Sequence, residues 1–203
     1  MPHFAVSAPA LVRRTTALEP LPTWSASYAR CHIDLGTGDG RYARELARRS
    51  PNLAVIGLDT CLDHLKGSAR RQPPNVRYIT ADALTFTDGL LPAAQSISIN
   101  FPYGSLLTGL IAGSPDLLWR LDHSLAGEGE VVIRVNASAL EAVGHEALIA
   151  RRSIENALRT LPGLHLTTRN LSQDDLRQFP CSWAKRLGYG RATEAFSVTL
   201  RRI

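Results

Sequence analysis

Short apolar runs alternate with amphipathic stretches along most of the chain. Ile33-Asp34-Leu35 and residues 53–58, 76–80, 95–100 and 130–135 are aliphatic and β-branched, too short for helices, and bounded by Gly, Pro or Asp, which predicts buried strands. Between them, residues 41–49, 62–71, 106–111 and 115–125 read as helices, and 140–161 as a longer helical region. Pro73-Pro74 closes the second helix, and a turn at 127–129 precedes the fifth strand. Residues 164–169 and 195–201 predict two final strands, joined by a polar linker over 170–194 without a helical pattern. Strands alternating with helices predict an α/β fold: a doubly wound, mostly parallel, seven-stranded sheet. The closing strand pair predicts one antiparallel edge strand.

The chain has 203 residues, 44% of them hydrophobic, which suits one domain over 1–203 with a full core. No apolar run approaches the roughly 20 residues of a membrane span. Residues 1–27 are expected to be a mobile or loosely docked lead-in, because the start carries Pro and paired Arg but no apolar region followed by a cleavage site. Cys31, Cys61 and Cys181 are odd in number and lack metal-ligand spacing, so free thiols in a reducing cytoplasm, and no metal, are expected. Net charge is +5 and unevenly spread: residues 151–203 hold ten Lys/Arg against four Asp/Glu, while the first 150 hold thirteen against fourteen. A basic C-terminal quarter suggests a polyanionic partner for one face.

His32-Ile33-Asp34-Leu35-Gly36-Thr37-Gly38-Asp39-Gly40 adds chemistry to this frame. Glycines after a strand let the chain turn sharply and bring its backbone against a ligand. Their spacing is Gly-x-Gly-x-Gly, not the Gly-x-Gly-x-x-Gly of dinucleotide sites, which favours S-adenosylmethionine (SAM) over a nicotinamide cofactor. On open α/β sheets ligands bind at the carboxyl ends of the strands, where four polar groups fall in order. Asp34 could hold the amino-acid part of the cofactor, directly or through water. Asp59 could accept from both ribose hydroxyls, Asp82 from the adenine amine, and Asn100 would stand where a target group meets the methyl.

Asn100-Phe101-Pro102-Tyr103-Gly104-Ser105 offers ring faces in a constrained loop, suited to stacking a planar base beside a methyl donor. Pro180-Cys181-Ser182-Trp183-Ala184-Lys185-Arg186-Leu187 places a Trp beside two cations, with Arg191 following. Ring for base and cation for phosphate is how unstacked nucleotides are held. Trp24 and Trp119 lack that setting and are assigned to packing.

His32–Gly40, Phe101-Pro102-Tyr103-Gly104-Ser105-Leu106-Leu107 and Ser182-Trp183-Ala184-Lys185-Arg186-Leu187 resemble the aminoglycoside-resistance 16S rRNA methyltransferases that modify N1 of adenine-1408, and the similarity runs from about Tyr28 to the C-terminus. The resemblance implies the class I SAM-dependent methyltransferase (Rossmann-like) fold, with SAM bound by Gly36, Thr37, Gly38, Asp59, Ala81 and Asp82 and bordered by Asp34, Asn100, Phe101 and Ser105. It implies that Tyr103 and Trp183 stack the target adenine, with Asn100 and Pro102 orienting its edge. Lys185, Arg186 and Arg191 would grip rRNA phosphates, and Lys66, Arg70 and Arg71 of the second helix join them as RNA-binding residues. The implied partner is 16S rRNA in the assembled 30S subunit, with no membrane and no obligate protein partner. The family's loop usually carries a second Trp where this chain has Tyr103, a smaller stacking surface, and members can carry more basic charge just after Gly190, where this chain has Ala192 and Thr193 after Arg191. Adenine N1 has an in-plane lone pair, so no His or Cys base is expected, and His32 is expected to be structural. Three other readings stay open: a tRNA or other rRNA base methyltransferase acting on guanine N7 or adenine N6, a weakly active or non-catalytic SAM-binding ribosome-associated homologue, and a small-molecule methyltransferase, which would leave the basic linker unexplained.

Overall fold

Among the described residues seven strands form: β1 (Arg30–Leu35), β2 (Leu53–Asp59), β3 (Val76–Thr80), β4 (Ala94–Asn100), β5 (Leu125–Asn136), β6 (Leu164–Asn170) and β7 (Ala195–Arg202). The structure is a computed structural model that describes residues 19–61, 63, 65, 67, 72–181, 184 and 194–203. One sheet runs in the order β3-β2-β1-β4-β5-β7-β6. The first five strands pair in parallel, and β7 pairs antiparallel with both β5 and β6. The expected seven-stranded, mostly parallel sheet with an antiparallel edge region is therefore observed. The antiparallel strand is β7, inserted one position in, so that β6 forms the edge.

Among the described residues the helices are α1 (Leu21–Ser25), α2 (Arg41–Arg49), α3 (Gly104–Ala112), α4 (Pro115–Ser124), α5 (Ala137–Ala142), α6 (Ala147–Leu158) and α7 (Gln173–Gln178); the helix expected over 62–71 lies mostly outside them. Ile33, Ile56, Leu58, Ile97, Ile99 and Ile133 from the strands are fully buried with Leu107, Leu117, Leu121, Leu140, Ile154 and Leu158 from the helices. This is why the strands read as continuous apolar runs: both sheet faces are covered. Helix α2 buries Ala43 and Ala47, four residues apart on one face, against Leu53, Val55 and Val76. Asn75, buried, donates to the carbonyls of Ala47, Ser50 and Leu53 and so ties the end of α2 to the start of β2.

Several boundaries differ from the pattern for local reasons. The expected helical region at 140–161 divides into α5 and α6, because Gly144 turns the chain at φ +80°. The expected turn at 127–129 lies inside β5, as an irregularity between the Ala94–Leu125 and Ser96–Glu130 pairs. The 170–194 linker contains α7, started by a reciprocal capping box between Ser172 and Asp175. Arg169 and the Ser172 N–H hold the Asp175 carboxyl well below the usual range. In the lead-in, Leu21 and Trp24 of α1 are buried in the main core, with the Arg77 guanidinium 4.6 Å from the Trp24 ring centroid. Trp24 is thus a packing residue. Trp119 is not: it is 41% exposed and stacks on His123.

Candidate active site

The strand order reverses direction beside β1, and a cleft of about 560 Å³ opens there at the carboxyl ends of the parallel strands. At its floor the turn after β1 folds back on β2: the Gly36 and Thr37 N–H groups both donate to the Leu58 carbonyl, at 2.8 and 2.9 Å. Gly36 has φ +70°, and a Cβ there would lie 2.8 Å from the Leu106 side chain. The left-handed conformation therefore demands glycine, while the Leu106 methyl, at the end of a flexible side chain, could move aside.

The acid ending β2 is clamped to this turn. Asp59 accepts the Gly38 N–H on Oδ2 and the Cys61 N–H on Oδ1, both at 2.8 Å. Asp82, after β3, accepts the Leu84 N–H at 2.8 Å. Gly36, Thr37, Gly38, Asp59, Ala81, Asp82, Asn100, Phe101, Pro102, Tyr103 and Ser105 all line the cleft, so the structure brings these sequence-singled residues together. Trp183, Lys185, Arg186, Arg191, Lys66, Arg70 and Arg71 lie outside the described residues.

Asp34 borders the cleft but is 1% exposed, with its oxygens committed to the protein. Oδ2 accepts from Thr37 Oγ1 at 2.6 Å, and Oδ1 accepts from Ser98 Oγ at 2.6 Å and Asn100 Nδ2 at 2.9 Å. Burial pushes its carboxyl up to about 6, against the pull of these three donors and of Arg134. It therefore offers negative charge at the cleft floor more than hydrogen-bonding capacity. Phe101 lines the cleft, but its ring is not offered for stacking. Its ring is buried with Leu171, Leu176, Ala184 and Ala195, edge-on to Phe179, and is not a face presented to a base. Its backbone has φ +53°, a conformation costing an L-residue about 1–3 kcal/mol, secured by its N–H donating to the Arg134 carbonyl at 2.8 Å. Tyr103 takes the opposite position, 67% exposed at the rim and immediately before α3.

Behind the site, His32 is buried between Ser96 Oγ (2.7 Å from Nδ1) and Ser98 Oγ (2.9 Å from Nε2). Ser98 spends its proton on Asp34, so it must accept from His32 Nε2–H, and Nδ1 accepts from Ser96. This supports the structural role expected of His32. Burial, with Arg134 nearby, lowers its pKa from 6.5 to about 3. Across that window the unfolded chain binds a proton the folded one refuses, so the contribution of His32 to stability, complete above pH 6.5, is lost as pH falls toward 3. Asp34, raised from 3.8, works oppositely: the folded state keeps a proton that the unfolded state gives up, favouring folding at low pH and losing that advantage as pH rises from 3.8 to about 6. Because the His32 shift is larger and extends lower, His32→Gln is expected to shrink the loss of stability between pH 7 and pH 4. Urea unfolding at the two pH values tests it; an unchanged difference would remove His32 as its source.

Tyr42, Thr60, Cys61, Leu106 and Cys181 also line the cleft and were not singled out from sequence. All five were within reach of adjacency: Thr60 and Cys61 follow Asp59, Leu106 follows Ser105, Tyr42 lies two residues beyond Gly40, and Cys181 lies inside the Pro180–Leu187 stretch. Among the described residues no group of three His, Cys, Asp or Glu could hold a metal ion, and no helix is long and apolar enough to cross a membrane.

Residues 14–201 match the model of the NpmA family, described as 16S rRNA (adenine(1408)-N(1))-methyltransferase. The chain belongs to that family. It is 31% identical over 190 residues to the 16S rRNA (adenine(1408)-N(1))-methyltransferase of Escherichia coli, covering 85% of this chain and 87% of the other. To the enzyme of the same description from Streptoalloteichus hindustanus it is 26% identical over 182 residues, 82% and 84% of the two chains. A tryptophan-to-alanine variant of the 16S rRNA (adenine(1408)-N(1))-methyltransferase from Catenulisporales acidiphilia, solved with cosubstrate SAM, superposes with a TM-score of 0.76 at 25% identity, covering 93% of each chain. Family and fold together make this protein an enzyme of the SAM-dependent methyltransferase class.

Proposed function

We propose that this methyltransferase transfers the methyl group of SAM to N1 of adenine-1408 in the 16S rRNA of the assembled 30S subunit, and thereby confers aminoglycoside resistance. The observation that carries the reading is Tyr103, an exposed ring on the rim of a cleft that the rest of its loop lines. A flipped base needs such a face.

The cleft residues suit SAM. Asp59, oriented by two N–H groups, suits ribose hydroxyls; Ala81 and Asp82 suit the adenine; the buried Asp34 charge suits the cationic end. A Cβ on Gly38 would meet no atom within 4 Å, which leaves the backbone open to a ligand there. Bound in the cleft, SAM supplies an electrophilic methyl group that an adenine N1 lone pair can take with no proton removed first. The chain's work is then alignment: stacking on Tyr103 and Trp183, and edge contacts from Asn100 and Pro102. His32 is buried and neutral, and burial pushes the Cys31 thiol up to about 12, so neither is suited to act as a base.

One detail weighs against the adenine-N6 route, which needs acceptors for an exocyclic amine. Asn100 Oδ1 already accepts from Arg134 Nη1 at 2.8 Å, and its Nδ2 faces Asp34.

The test is tritiated methyl transfer from SAM to purified 30S subunits, followed by primer extension across the decoding-site helix. A stop at adenine-1408, absent with Trp183→Ala, is expected. No incorporation with SAM binding intact would overturn the reading.

A further inference from the structure

Arg134 lies directly across the β4–β5 ladder from Asn100. Its side chain donates to Asn100 Oδ1, while its own carbonyl accepts the Phe101 N–H, each at 2.8 Å. Its guanidinium also covers the Phe179 ring, 4.7 Å from the centroid. Phe179 in turn stacks on Tyr42 and meets Phe101 edge-on. One residue therefore holds the last side chain of β4, the left-handed peptide that follows it, and the aromatic ring just before Pro180.

The chemistry fixes the polarity of this arrangement. A guanidinium only donates, and an ionised carboxylate only accepts. Standing between Arg134 and Asp34, the Asn100 amide can satisfy both only with Oδ1 toward Arg134 and Nδ2 toward Asp34, as found. Without Arg134 the amide keeps only its Asp34 contact to fix that orientation, and Asp34 loses the cation behind its donor.

We propose that Arg134 is a positioning residue for methyl transfer: it orients the Asn100 amide and the Phe101 peptide, so that the 100–105 loop is aligned at the cleft rim and the Asp34 charge is maintained at its floor. The proposal rests on the methyltransferase reading of the cleft. Arg134 itself is absent from the lining of that cleft and acts through Asn100, Phe101 and Asp34.

The experiment compares the full-length wild type with Arg134→Met and Arg134→Lys in two measurements. The first is methyl transfer to 30S subunits at saturating SAM, giving kcat. The second is SAM affinity by calorimetry between pH 5 and 8, which reads Asp34 through the charge it presents to a cationic ligand. The groups facing Asp34 are Thr37 in the turn, Ser98 and Asn100 on β4, Arg134 on β5 and Tyr42 on α2, with Asp59 lining the same cleft from β2. Loss of Arg134 removes a cation and loosens a donor, both of which favour the ionised carboxyl, so the midpoint of the affinity profile moves to higher pH. For Arg134→Met the expected result is a kcat about 100-fold lower, the scale of a small misalignment. SAM affinity at pH 8 should stay within about threefold of wild type, below the roughly tenfold that one lost charged contact produces. Arg134→Lys, which keeps the charge, restores the midpoint and part of kcat.

Wild-type kcat in Arg134→Met, an unmoved midpoint, or SAM affinity at pH 8 falling as far as kcat would each overturn the proposal. Should Arg134→Met not fold, Arg134→Gln takes its place, since it keeps a donor but no charge. If wild type itself methylates no 30S subunit, the substrate reading fails, and the pH midpoints alone decide the role of Arg134.

Discussion

Tyr103→Ala is expected to lower methyl transfer to 30S subunits about 10- to 100-fold while leaving SAM affinity within about threefold. Stacking of a base on an aromatic ring contributes about 1–3 kcal/mol, and about 1.4 kcal/mol is a factor of ten in rate. The ring is 67% exposed, so truncation leaves the core intact, and the effect should appear in transfer and not in the thermal unfolding midpoint. Tyr103→Phe should retain most activity because the face is kept, and Tyr103→Trp should equal or exceed wild type because the face is larger. Single-turnover transfer with saturating SAM is the measurement. Wild-type rates in Tyr103→Ala would mean that the rim ring does not touch the target base.

The second large effect is expected at the cofactor end. Asp59→Ala should weaken SAM binding about 10- to 100-fold, since hydrogen bonds to a charged group contribute about 1.5–3 kcal/mol each. The loss has two physical sources. The carboxylate no longer meets the ribose, and the Gly38 and Cys61 N–H groups lose the acceptor that holds the turn after β1 against the end of β2. Calorimetry with SAM and with adenosine alone tests the assignment. A ribose contact weakens both ligands alike, whereas an affinity for adenosine that does not change would move Asp59 away from the ribose.

The strands were legible because burial on both sheet faces writes itself as uninterrupted β-branched and aliphatic runs, and their alternation with helices leaves few other topologies. The cleft was legible for the same reason: in a parallel sheet every strand ends at the same rim, so Gly36, Asp59, Asp82 and Asn100 had to converge there. The short helix α7 was also written locally, in Ser172 and Asp175 at capping-box spacing, but a polar linker hid it.

What the chain alone could not assign is what each of those residues would find beside it. Asp34 and Asp59 look alike in sequence, each an acid ending a strand. Asp34, on the central strand between β2 and β4, meets Ser98 and Asn100 and becomes buried and committed, while Asp59 stays half-buried at the cleft wall. Phe101 and Tyr103 are two residues apart in one loop, yet a left-handed peptide at Phe101 sends its ring into a second core and leaves Tyr103 in solvent. Trp24 and Trp119 differ in the same way, one buried beneath Arg77 and one on the surface. Arg134 has no local signature at all, because its partner lies across a β4–β5 register that local patterning does not reveal. Periodicity and strand-end residues, which act over a few positions, determined the sheet, the cleft and the class of chemistry. Pairings between residues more than thirty positions apart decided which polar groups are occupied, which rings are exposed and which arginine holds the loop, since only the assembled sheet brings those atoms within hydrogen-bonding distance.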